Sequence, residues 1–342
     1  MRTATKRTVS LAAIIAAGAL ALTACAGGTT PAAPEKGDAP EAEAITDVNI
    51  VVPADPGGGW DQTGRAIAQV LTGDGIVSSA PVTNIGGAGG TVGLASLANE
   101  KKQNTLMVTG LVMVGAVETN ASKVRLEDTT PIARLTDEPL VIVVPAASPY
   151  KTLDDLVDDI VANGQAVSIT GGSAGGADHI LAGLVLEASG LKAEEIPTKL
   201  NYIPNSGGGE ATALIIGNQV SAGISGVGEF VQHIESGDMR ALAVSSENPV
   251  EQLPDTPTIT DEGIDVVLTN WRGVIAPGGI DDATRAELER VVTELHETDA
   301  WTSELETRGW NDAFLIGSEF DSFLKTNIMD VSATLKNIGL VG

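Results

Sequence analysis

The sequence predicts an α/β protein of largely parallel sheets, folded as two lobes that face one cleft. From residue 46 onward, short β-branched runs alternate with amphipathic segments, the pattern of repeated βα units. The 342 residues suffice for two domains of ordinary size, and 43% hydrophobic residues with only 3% aromatic describe an aliphatic core. Four glycine clusters fall at strand-to-helix joints, two before residue 142 and two after it, so each lobe offers a pair of loops to one crevice.

The first 24 residues stand apart from that pattern. Arg2, Lys6 and Arg7 precede the apolar run TVSLAAIIAAGALAL, which is too short to remain as a transmembrane helix and ends in Leu22-Thr23-Ala24-Cys25. A signal peptide is expected over 1–24, with Cys25, the sole cysteine, placed as in a bacterial lipobox. A single cysteine excludes an intramolecular disulfide and any multi-cysteine metal site. Residues 25–45, small and proline-rich, read as a lipidated cysteine followed by a flexible tether spanning roughly 25 Å. Removing Arg2, Lys6 and Arg7 from a chain of 20 Lys+Arg and 45 Asp+Glu takes the formal charge from -25 to -28. Such a surface repels nucleic acid and anionic lipid headgroups.

Candidate strands then follow in order: DVNIVVP (47–53), NTLMVTG (104–110), PLVIVVP (139–145), AVSIT (166–170), LNYIP (200–204), VSAGIS (220–225), RALAVS (240–245) and VVLTNWRGVIAP (266–277). Helices are expected to begin near Trp60, Gly93, Thr152, Ala177, Glu210, Glu229, Asp282, Trp301 and Ser318. The joints PGGGWD (56–61), IGGAGGTVG (85–93), TGGSAGGAD (170–178) and NSGGGE (205–210) carry the glycines. Glycine permits positive φ and close backbone approach, and a helix N-terminus presents free N–H groups to an anion. An acidic protein can thus hold an anion on neutral donors, without lysine or arginine.

Competing chemistries fit less well. No glycine cluster continues into Lys-Ser or Lys-Thr as a P-loop does, and none opens a convincing dinucleotide unit. Gly171-Gly172-Ser173-Ala174-Gly175 matches G-x-S-x-G between a strand and a helix, which raises a serine hydrolase with Ser173 as nucleophile. Of the three histidines, His179 lies on the helix just after Ser173, and His233 and His296 fall on amphipathic helices, where a triad base is unusual. Their spacing resembles no metal shell, and acidic pairs such as Asp154-Asp155 read as solvated surface. Trp60-Asp61 follows a glycine turn directly, so Trp60 is expected to wall a site and Asp61 to brace the loop; a core tryptophan with a simple cap is the alternative.

Taken together, VVPADPGGGWDQTGRAIAQVL, GGAGGTVGLASLA, GGSAGGADHILAGLVL, YIPNSGGGEATALIIGNQVSAGISGVGEF, MRALAVSS, LPDTPTITDEGIDVVLTNWRGVIAPGGI and RGWNDAFLIGSEFDSFL resemble the substrate-binding receptors of tripartite tricarboxylate transporters, over about residues 46–338. The GGGWD form of the first loop resembles the branch associated with citrate and related tricarboxylates. The resemblance implies a type II periplasmic-binding-protein fold, two α/β lobes with a ligand cleft between them. Lobe 1 would comprise 46–141 and 268–342 and lobe 2 would comprise 142–267, with hinges near 139–145 and 266–277. It also implies an exported, membrane-anchored, monomeric receptor with no cofactor, no metal and no catalysis. Its partners would be a small carboxylate and membrane transporter subunits. Carried over by motif, the ligand-binding residues are Pro56, Gly57, Gly58, Gly59, Trp60 and Asp61 in the first loop, then Gly89, Gly90, Thr109 and Gly110 in the same lobe. The second lobe would add Gly172, Ser173, Ala174, Gly175, Asp178 and His179, then Gly207, Gly208, Gly209 and Ala211. Many relatives have an aromatic where Ala54 or Asp55 stands and a ligand-facing aspartate where this chain has Ser221.

Overall fold

The computed structural model of the protein describes residues 44–205 and 208–342, so the expected signal peptide, Cys25, nearly all of the tether, and Gly207 lie outside the described residues. The chain begins with β1 (Asn49–Val52), α1 (Gly59–Gly73), β2 (Val82–Asn84), α2 (Thr91–Leu97), β3 (Thr105–Gly110) and α3 (Leu111–Thr119). β1 pairs in parallel with both β2 and β3, and Ile50 and Val52 point into the core. The 16-residue strand β4 (Thr130–Pro145) then leads into α4 (Leu153–Asn163), β5 (Ser168–Gly171), α5 (Ala177–Ala188), α6 (Ile196–Lys199) and β6 (Asn201–Pro204). After α7 (Gly208–Ile216), β7 (Ala222–Gly226), α8 (Val227–Glu235) and β8 (Met239–Val244), the chain returns through β9 (Thr269–Ala276), α9 (Asp282–His296), α10 (Asp299–Arg308), β10 (Asn311–Ile316) and α11 (Gly317–Asn337).

The strand order β2-β1-β3-β9-β4-β7-β5-β6, with β8 and β10 added on β4, divides at β4. Its first part, Thr130 to Pro139, pairs with β9, and its last part, Leu140 to Pro145, pairs with β7 and β8. One strand therefore runs through both lobes. The largely parallel arrangement expected from sequence gives way to a mixed one: β1–β2, β1–β3, β5–β6 and β5–β7 are parallel, while β4 and β9, which carry the chain between lobes, run antiparallel to their neighbours.

Ser245 ties the two crossing segments together. Leu140 N–H donates to its hydroxyl oxygen at 2.8 Å, and that hydroxyl donates to the carbonyl of half-buried Leu268 at 2.6 Å; Leu140 and Ser245 are fully enclosed. Helices α7 and α8 cover one face of the second lobe, where Ala211, Ile215 and Phe230 pack on Val141 and Val143. Four elements escaped the sequence patterns, one of them α6, a single turn of four residues. α3 reads LVMVGAVET, apolar on nearly every side, so it lacks the polar face that marks a surface helix. β2 and β10 are short and partly exposed, and alternate too weakly to stand out.

Candidate functional site

The first glycine loop is held from behind. Asp61 Oδ2 accepts the Gly57 N–H at 2.9 Å and the Arg65 Nε–H at 2.9 Å, while Asn84 Nδ2 donates to Asp61 Oδ1 at 2.9 Å and to the Ala54 carbonyl at 3.0 Å. Burial works to raise the Asp61 pKa, but these donors outweigh it and hold the carboxyl below its usual range. Gly57 takes φ +100, a conformation side chains resist. Helix α1 has Gly58 as its N-cap, with no side-chain acceptor on the first-turn N–H groups.

The second loop is wound left-handed over four consecutive residues: Gly87 (φ +124), Ala88 (φ +48), Gly89 (φ +62) and Gly90 (φ +91). Ala88 is the strained member, and Asn120 Nδ2 holds its carbonyl at 3.0 Å. A Cβ on Gly90 would lie 2.7 Å from the Trp60 ring, so the glycine is the bed on which Trp60 lies. Trp60 is 8% exposed and both lines the cavity and belongs to the core, which merges the two roles weighed for it.

In the third loop most N–H groups are consumed internally. Gly172 N–H donates to Asp178 Oδ2 at 2.6 Å, Gly175 N–H to His179 Nδ1 at 3.1 Å, and Gly176 N–H to the Ser173 carbonyl at 2.9 Å. Ser173 and Ala174 are left with N–H groups outside that set. Tyr202 donates its hydroxyl to the Gly172 carbonyl at 3.0 Å and stacks on His179 at 4.0 Å, fixing the platform under Ser173. Burial pushes His179 down to about 4, so the ring is neutral. With Nδ1 accepting from Gly175 and the ring face covered by Tyr202, His179 is a loop brace, not a base aimed at Ser173. His233 and His296 lie beside Asp238 and Asp312, away from the cavity lining.

Sequence reasoning missed the floor. Arg272 on β9, 2% exposed, ion-pairs through Nη2 with Glu138 of β4, also 2% exposed, and Asn270 Nδ2 donates to the same Glu138 oxygen at 3.3 Å. A Cβ on Gly59 would collide with the Arg272 guanidinium and lie 3.2 Å from Glu229 Oε1, and a Cβ on Gly226 would fall on the Glu138 carboxylate. These glycines leave volume that buried charges fill. Arg272 also lies 5.3 Å from the Trp310 ring centroid. An arginine inside the otherwise apolar strand WRGVIA was the available signal, because buried arginine needs a buried acid. Neutral donors are therefore not the whole of the site.

These parts line a cavity of about 340 Å³. Of the residues expected from sequence, Gly58, Gly59, Trp60, Gly89, Gly90, Gly172, Ser173, Ala174 and Asp178 line it. Gly57 with Asp61, and Gly175 with His179, brace those loops through hydrogen bonds, while Pro56 is exposed and outside the lining. Thr109 and Gly110 are enclosed beneath the floor, with Thr109 donating to Met113 Sδ and Gly110 abutting the Trp271 carbonyl. Gly208 and Gly209 open α7 beside Glu210, which reaches the lining, and Ala211 faces the second core. Ser221 is displaced to the far end of β7, where its hydroxyl accepts the Ser168 N–H at 3.3 Å. The carboxyl end of that strand meets the cavity, and there Ser225 and Gly226 take the place expected for Ser221. Asn120, Asn205, Asn270 and Glu229 complete the polar lining that sequence did not reveal.

The family described as tripartite tricarboxylate transporter family receptor matches residues 69–340. BugT of Bordetella pertussis is 27% identical over 302 residues, covering 85% of this chain and 89% of BugT. Among solved structures, the periplasmic binding protein BugD is similar with a TM-score of 0.74 at 24% identity, covering 86% of this chain and 98% of that one. MatC from Rhodopseudomonas palustris with bound malate gives 0.73 at 20% identity, covering 84% and 98%. The fold is thus that of periplasmic binding proteins, two α/β lobes about a cleft, and the chain belongs to the tripartite tricarboxylate transporter receptor family.

Proposed function

We propose that the protein is an exported receptor that captures a small di- or tricarboxylate, citrate-like, and hands it to the membrane subunits of a tripartite tricarboxylate transporter. Cys25 would carry a lipid that holds the monomeric receptor at the bacterial cell membrane, and no cofactor or catalysis is involved. The observation that carries this function is the convergence of glycine-rich loops and helix N-termini from both lobes on one cavity that also contains Arg272. Backbone N–H groups and the positive ends of α1 and α5 suit carboxylates held from opposite sides. The Ser173 hydroxyl supplies a further donor. Malate bound to MatC supports the ligand class.

The test is a thermal-shift screen of the purified protein against citrate, tricarballylate, isocitrate, succinate, malate and glutamate, followed by calorimetry. One-site binding at a hundredfold excess over Kd adds about 2.7 kcal/mol to stability. A shift with a tricarboxylate supports the citrate-like ligand, and a shift with another acid alone moves the ligand within the class. No shift with any acid overturns the function. Ser173→Ala is expected to weaken binding by about 1.5 to 3 kcal/mol, as for a hydrogen bond to a charged group; unchanged affinity removes Ser173 from the site.

A further inference from the structure

We propose that Glu229 contacts the bound acid as a protonated carboxyl group, so that this cavity takes up its carboxylate ligand together with one proton from water. Resting on the carboxylate-receptor function above, this names the residue that settles the charge balance of the site.

The floor and walls hold more acid than base. Arg272 is the only cationic side chain in the lining among the described residues, and its ion pair is made with Glu138. Its Nε and Nη1 have no hydrogen-bond partner. Glu229, on the first turn of α8, shares with the same guanidinium the space beside Gly59 but makes no ion pair with it, and the Ser225 hydroxyl lies close enough to favour its charged form. The charged groups around Glu229 are Glu138 from β4, Arg272 from β9, Asp178 from α5 and, across the cavity, Glu210 from α7. From α10 the Arg308 carbonyl packs against Gly228, while its guanidinium is committed to Glu304 at 2.7 Å.

An anionic ligand entering this set meets several carboxylates and one cation. Like charges brought together out of water cannot all stay ionised, and the cheapest relief is a proton on one of them. Burial raises Asp178 to about 7 as well, but its Oδ2 accepts the Gly172 N–H at 2.6 Å, a backbone donor to the anion that Glu229 lacks, so Asp178 is the weaker candidate. The Arg272 charge and the Ser225 hydroxyl favour the Glu229 anion, but no backbone N–H does, and Arg272 is already paired with Glu138. Burial, and then the charge of Glu138, push it up to about 7 before any ligand arrives. A bound carboxylate raises it further. A protonated Glu229 gains a donor, and the repulsion becomes a hydrogen bond.

The experiment is calorimetry of the full protein with citrate and with malate between about pH 7 and 8.5, where both acids carry their full charge, in two buffers of different ionisation enthalpy. Uptake is expected to rise from about half a proton per ligand near pH 7 toward one near pH 8.5, with affinity falling toward tenfold per pH unit at the upper end. Glu229→Gln, whose amide donates at every pH, is expected to lose both the uptake and the slope and to bind more tightly than the parent at about pH 8.5. Asp178→Asn is expected to keep the slope. Binding without proton uptake, or a slope retained in Glu229→Gln or lost in Asp178→Asn, overturns the assignment and leaves the receptor function intact. Preference for aspartate over malate also overturns it, because the acids then read a ligand ammonium. Failure of both acids to bind in the parent at any pH in this range overturns the proposal along with the citrate-like ligand class.

Discussion

At the scale of single residues, two buried titrations give the protein a pH dependence of opposite signs. His179 is held down to about 4, whereas an unfolded histidine titrates near ~6.5. The unfolded chain therefore binds the extra proton in that window. This contribution to stability is complete above about pH 6.5 and is lost as pH falls toward 4. Asp178 is raised to about 7 by burial and by Glu138, from an ordinary value near ~3.9. Here the native state holds the extra proton, so stability is fully present below about pH 4 and declines as pH rises toward 7. Asp178→Asn is expected to raise Tm relative to the parent progressively from pH 4 to 7; a constant difference contradicts the assignment. Gly59→Ala tests packing at the same scale. Its Cβ runs into the Arg272 guanidinium, and overpacking of this kind costs about 1 to 3 kcal/mol, readable as a lower denaturant midpoint. The glycine loops were legible because their chemistry is local in sequence. Arg272, Glu138 and Glu229 were not, because nothing near each of them in the chain announces its partner.

At the scale of elements, two features control how the lobes meet. Ser245 bridges β4 to the segment entering β9, and Ser245→Ala leaves an enclosed N–H at Leu140 and a half-buried carbonyl at Leu268 without this partner. A loss of about 1 to 3 kcal/mol is expected in chemical denaturation; a loss below about 0.5 kcal/mol would mean that other groups take over the tie. On α3, a Cβ at Gly115 would strike the Gly175 carbonyl, and Thr119 Oγ1 lies 3.4 Å from the Ala174 carbonyl. The first lobe thus touches the Ser173 loop directly. Gly115→Val is expected to reduce ligand affinity at least about tenfold with little change in the Tm of the ligand-free protein, since parting the lobes relieves the clash. Element order was readable from the alternation of βα units, and the sides of β7 were not. Sequence similarity pointed to Ser221, but four residues at about 3.3 Å each separate that position from the strand end at the cavity.

At the scale of the whole molecule, charge and topology act over distances that no single residue reveals. A chain carrying -25 formally slows the approach of an anion even though the cavity suits it. Raising ionic strength from about 0.02 to 0.15 M is expected to increase the association rate of a carboxylate, the reverse of the usual effect for opposite charges. Stopped-flow fluorescence can follow it through Trp60, and a rate that falls with salt would show that local charges govern encounter. Topology has a further outcome, in the order in which the chain is made. β9 lies between β3 and β4, so no ladder joins the β2-β1-β3 layer to the rest of the sheet until a strand near residue 270 is available. During vectorial synthesis and export, β5 to β8 can assemble with the end of β4 while β3 waits with an open edge. A chain cut short before β9 would leave two unpaired strand edges, so premature termination would yield an aggregation-prone fragment where one might expect a smaller working receptor.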